Sequence, residues 1–166
     1  MRYQTLQAAI KEITLAHDAD LIPFTGLESD LDPSRKLHYP CIVFTPPSFD
    51  LDLTNETNNN FTKWKIHLES RELMSTSSSV DEKNIALDRT REYLKDVVLQ
   101  FVLVYGDEKE VTHNNLTETL DFKVTTQPVF LPFIDISDGI TGWQVDFEIT
   151  EGLYNDICHL DDIFSN

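Results

Sequence analysis

Two short stretches hold the residue types that do chemistry. "GDEKEVTHNN" sets Asp107, Glu108, Glu110 and His113 close together. Carboxylates gathered this way suit a hard cation. Their spacing fits no EF-hand loop, so they read as a solvated polar turn. "NDICHLDD" sets Asp156, Cys158, His159, Asp161 and Asp162 together. A Cys–His pair acts as nucleophile and base only when the two side chains are within hydrogen-bond reach. Neighbours along a chain usually point apart, which argues against that role. The serine run 77–79 is not a nucleophile elbow. The five glycines are scattered, so no phosphate-cradling loop exists. No Cys or His pair has zinc spacing. These residues give no positive case for an enzyme, and neither catalytic residues, metal ligands nor a cofactor are assigned.

Charge is the outlying property. The chain has 166 residues, 13 of them Lys or Arg and 29 Asp or Glu, for a net charge of −16. Such a chain is repelled by nucleic acid and by anionic membrane surfaces. It can surround DNA without gripping it. With 40% hydrophobic residues it is long enough for one domain with a real core. We expect a single domain over 1–166 with a short C-terminal tail from about 155. The first residues, "MRYQTLQAAIKEITLA", lack the apolar stretch of a signal peptide. No run approaches the roughly 18–20 apolar residues of a membrane helix. Cys41 and Cys158 therefore read as thiols in a reducing cytoplasm, with a disulfide between them left open.

The elements that would position any site follow from periodicity. Residues 2–17 are expected to form an amphipathic helix with Tyr3, Leu6, Ile10 and Ile13 on one face. Pro23, Gly26 and Pro33 mark 18–35 as an acidic loop. Cys41–Phe44 is apolar on consecutive positions, a strand covered on both faces, and Pro46–Pro47 ends it. Phe49, Leu51 and Leu53 alternate with Asp50 and Asp52, the apolar set expected inward. After the polar run 54–60, Trp64, Ile66 and Leu68 alternate with Lys63, Lys65, His67 and Glu69. The two alternating runs make a hairpin with an extended tip. Ser79 and Glu82 fit a capping box that opens a second helix. Its buried face is expected at Leu87, Thr90, Leu94, Val97, Val98, Phe101 and Val102, with Gly106 as its stop. A polar turn over 107–115, a strand at 119–125 and a Pro-broken extended piece come next. The last long strand starts near Ile140, with Trp143, Val145, Phe147 and Ile149 against Gln144, Asp146, Glu148 and Thr150. The stripes at 64–68 and 143–147 read as facing core strands rather than a ligand pocket. This order predicts an α+β fold: a mostly antiparallel sheet of about five strands, two main helices and an extended β-hairpin.

Three segments taken in order carry a resemblance. They are "YPCIVFTPPSFDL", then "FTKWKIHLESRELMSTSSSVDEKNIALDRTREYLKDVVLQF", then "PVFLPFIDISDGITGWQVDFEIT". Over 1–158 the chain resembles the tail terminator, or tail completion, proteins of the phage neck. The likeness lies in the overall pattern rather than in one motif. It implies a non-enzymatic virion protein of the tail–neck region, made in the bacterial host cytoplasm. Such proteins form a homo-oligomeric ring, usually a hexamer, that caps the tail tube and docks to the head connector. The implied partners are other copies of the chain, the tail tube protein and head connector or neck proteins. DNA would only pass through, and no membrane is involved.

Two surfaces follow from that reading. The hairpin tip Thr54, Asn55, Glu56, Thr57, Asn58, Asn59 and Asn60 is the expected partner contact. The face with Asp146 and Glu148 is expected to line the passage or to meet solvent. The 18–35 loop is longer and more acidic than a minimal terminator needs, which keeps a head–tail joining or head completion role open. A monomeric acidic protein-binding module is the alternative from a different class.

Overall fold

The computed structural model describes residues 2–26, 39–52, 61–75, 77–135 and 139–152. In chain order the elements are α1 (Tyr3–Leu15), β1 (Ile22–Thr25), β2 (Cys41–Phe44), β3 (Ser48–Asp52) and β4 (Phe61–Leu73). Then come α2 (Val80–Tyr105), β5 (Lys109–His113), β6 (Leu116–Leu120), β7 (Lys123–Val124), β8 (Val129–Asp135) and β9 (Ile140–Gly152). The fold is α+β. Seven strands form the main sheet, and β5 and β6 form a separate pair.

Two long strands make the sheet's spine. β4 and β9 pair antiparallel along their whole length, from Phe61 against Gly152 to Leu73 against Ile140. The outer edge of β4 takes β2 on one half and β3 on the other. The outer edge of β9 likewise takes β8 and then β7. Every pair is antiparallel except β1 with β2.

Alternation then sorts the faces. Trp64, Ile66, Leu68, Val145, Phe147 and Ile149 point to one side and are buried there. Both helices pack on that side, with Leu6 and Ile10 of α1 and Leu94, Val97, Val98 and Phe101 of α2 in the same core. Full burial of each such side chain contributes about 1.5–3 kcal/mol. Two polar bonds fix the seat of α2. The Trp143 indole N–H donates to the Leu87 carbonyl at 2.9 Å. The Ser70 hydroxyl donates to the Thr90 carbonyl at 2.7 Å. The capping box forms: the Glu82 amide donates to Ser79 Oγ at 3.3 Å, and the Ser79 amide donates to the Glu82 carboxylate at 2.7 Å.

All four residues of β2 are buried, as consecutive apolar positions require. Ile42 and Phe44 join the helix-side core, while Cys41 and Val43 form a second small cluster with Ile22, Phe24 and Tyr39.

Several local expectations are corrected. Ile22–Thr25 is a strand inside the segment read as loop; it sits at the sheet's edge, where Pro23 is tolerated. The polar turn 107–115 is part of the β5–β6 hairpin. Its two central residues, Asn114 and Asn115, both have positive φ, 47° and 64°, as a two-residue primed turn demands. The strand expected at 119–125 is split between β6 and β7. Phe49 is not inward: it is 56% exposed, because β3 lies at the sheet's edge, beyond the strands on which the helices rest. It still covers Trp64, ring centroids 5.2 Å apart. On α2, Ala86 and Tyr105 are buried, while Leu87 and Val102 are half-buried. The hairpin tip 54–60 and the tail from 155 lie outside the described residues.

Gly142 is required by the spine. A Cβ there would stand 1.8 Å from the Ser70 carbonyl oxygen of β4. The Phe133 ring from β8 lies over the same spot, its Cζ 3.0 Å from that position. Gly142→Ala is therefore expected to cost roughly 2–4 kcal/mol, in the upper range for a single substitution. Urea unfolding checks this, and an unchanged midpoint would contradict it.

Candidate functional site

The side of the sheet away from the helices carries the charged positions of β4 and β9. Lys63, Lys65, His67, Glu69 and Arg71 alternate with the core residues of β4, and Gln144, Asp146, Glu148 and Thr150 do so on β9. The register puts His67 beside Asp146 and Lys65 beside Glu148. Asp146 and Glu148 do share one face, as their spacing implies. That face is not simply acidic, because β4 sets a cation beside each of these acids.

A chain of charge-assisted bonds crosses it. The Arg71 Nε and Nη2 groups both reach Glu69 Oε2 at 2.6 Å. His67 Nε2 lies 2.9 Å from Glu69 Oε1, and His67 Nδ1 lies 2.7 Å from Asp146 Oδ1. Lys65 pairs with Asp50 of β3 at 3.2 Å. The Arg71 guanidinium also stands over the Phe133 ring, 5.7 Å from its centre. Glu69 is buried although it is on the open side.

The protonation states follow. The Glu69 carboxylate bonded to His67 raises the imidazole pKa from 6.5 to about 9, burial opposes this, and Asp146 adds to the rise. His67 is thus an imidazolium at neutral pH. Burial pushes Glu69 up, but the bonds from His67 and Arg71 outweigh it and hold its carboxyl below the ordinary value. An imidazolium with both nitrogens donating has no lone pair to accept a proton. Both Glu69 oxygens are also engaged. The arrangement can bind strands together and present charge.

The other sequence-derived residues do not converge. Asp107, Glu108 and Glu110 are exposed at the start of the β5–β6 hairpin, while His113 faces Gln4 of α1 at 3.1 Å. Among the described residues no group of His, Cys, Asp and Glu could hold a metal ion. Cys41 has a free thiol, and burial pushes its pKa up to about 12, so it is not a nucleophile at neutral pH. Cys158 and its neighbours 156–162 lie outside the described residues. The His67–Asp146 and Glu69–Arg71 contacts went unnoticed in the sequence. The signal was present: if the apolar stripes of 64–68 and 143–149 share one face, the basic and acidic positions between them must share the other.

No protein-family model matches the chain, and no curated protein matches it either.

The ion chain sets a pH dependence. His67 has a folded pKa above its unfolded value, so its contribution is full below pH 6.5 and is lost as pH rises through about 9. Allowing for solvent screening, the loss is about 1–2 kcal/mol. Glu69 works the other way: its contribution is present above the ordinary carboxylate range and fades as pH falls below it. Thermal melts from pH 6 to 10 should show wild-type stability declining toward the alkaline end, with His67→Gln less stable at pH 6 and flatter. Parallel pH profiles for the two proteins would contradict the assignment.

Proposed function

We propose that this chain is a non-enzymatic virion protein: a ring subunit at the head–tail junction that caps the tail tube and joins it to the head connector. The order of elements supports the reading. An N-terminal helix, a strand pair, a hairpin strand, a long helix and a closing amphipathic strand occur in the sequence of the terminator-like pattern. The observation that carries self-association is the β8 edge. Among the described residues β8 pairs with β9 alone, and Val129 and Leu131 on one of its faces and Ile134 on the other are about half exposed. No charge occurs in "TTQPVFLPFI", residues 125–134. An uncharged apolar edge on an otherwise highly charged protein suits burial against another copy.

In this reading Thr54–Asn60 contact the neighbouring ring or the tube. Asp146 and Glu148 belong to a solvent or lumen face. With His67 and Lys65 beside them, repulsion of DNA phosphate would rest mainly on acids elsewhere in the chain. A head–tail joining protein is the runner-up within this class. An acidic monomeric binding module is the reading from another class.

Sedimentation velocity over a wide concentration range, with negative-stain images, distinguishes them. Closed rings are expected at high concentration or on tail tubes, and Val129→Asp/Leu131→Asp should abolish them. A strict monomer that also ignores tail tubes would favour the binding module.

A further inference from the structure

A second surface lies away from the β8 edge. α1 and the later turns of α2 enclose an open groove lined by Glu12, Asp18, Asp96, Leu99, Leu103 and Val104, with His17 and Ala16 between them. Its floor is apolar and wet: Leu99 is 50% exposed and Leu103 73%. Its rim is acidic, and none of its lining residues is Lys or Arg. His17, the one base in it, lies 3.6 Å from Asp96. Lys95, next to Asp96 in sequence, is paired with Glu92 instead. Neither helix has a basic residue in its last turn, so no Lys or Arg there offsets the negative end of its dipole.

The geometry points to a docking site for a basic amphipathic helix of a partner protein. Its apolar face seats on Leu99 and Leu103, and its lysines or arginines meet Glu12, Asp18 and Asp96. A helix laid in a groove needs this pairing of apolar floor and charged rim. Charge selects the occupant. A second copy docked groove to groove would set the three acids against their own duplicates. The chain's own residues 153–166 contain Asp156, Asp161 and Asp162 and no Lys or Arg, so that segment is repelled too. The site is separate from β8, so it does not depend on the ring reading.

The test uses the full chain and a fluorescein-labelled Leu/Lys amphipathic helical peptide of about five turns, with anisotropy as the readout at near-physiological salt. Saturable binding is expected, with a loss of at least about tenfold in Leu99→Ser/Leu103→Ser. Asp18→Asn/Asp96→Asn should weaken it less and flatten its salt dependence, while Val129→Ser/Leu131→Ser binds as the wild type does. The leucines are exposed, so these variants should melt as the wild type does; the Asn pair supplies an independent arm if they do not. Equal binding of a scrambled Leu/Lys peptide would overturn the proposal, as would full binding by the groove variants. Self-association that the groove variants abolish would assign the groove to a second copy and overturn it as well.

Discussion

The antiparallel ladder between β4 and β9 is the constraint on which the rest of the structure depends. It joins residues far apart in the chain, and it fixes two faces at once. Because side chains alternate strictly along a strand, one register decides both the core and the charged face. Ile66 beside Phe147 on the helix side entails His67 beside Asp146 on the other. A slip by one residue would bury Lys65 and His67 under α2 and expose Ile66 and Leu68. The hydrophobic and ionic patterns therefore specify the same pairing, and agreement of this kind favours one native state. Gly142 shows how close the two backbones lie, since even a methyl group would collide with the Ser70 carbonyl.

Much of this was legible in the residues. The alternation from Lys63 and from Ile140, the Ser79–Glu82 capping box and the consecutive apolar run of β2 each have a local physical cause, and each element formed. What was missed depended on context that local pattern does not contain. β1 is only four residues long and includes Pro23, so it lacks a period of its own and is defined by its pairing with β2. The β5–β6 hairpin was hidden by polar side chains; Val111 and Leu120 are its buried anchors, and Asn114–Asn115 was the turn signal to weigh. Phe49 kept the right period but not the expected burial, because helix placement, not alternation, decides which end of a sheet face is covered. The ion chain needed the strand register before any of its pairs could be named.

The two helices divide the molecule into surfaces with different chemistry. The open sheet face carries the paired ion chain from Arg71 through Glu69 and His67 to Asp146, with Val129 and Leu131 of β8 beside it. The β8 edge is apolar and uncharged. The α1–α2 groove is apolar with an acidic rim. A subunit that contacted its own copies and a different partner would need surfaces that do not compete, and the groove is set apart from β8 in both place and charge.

Hydrogen–deuterium exchange of the full chain at low and high protein concentration tests the account most directly. The amides of 64–70 and 143–149 should be the slowest to exchange at either concentration, opening only with global unfolding. Those of 129–134 should gain protection at high concentration, as the edge becomes covered by another copy. Early exchange along the β4–β9 ladder, or a β8 edge indifferent to concentration and to tail tubes, would contradict it.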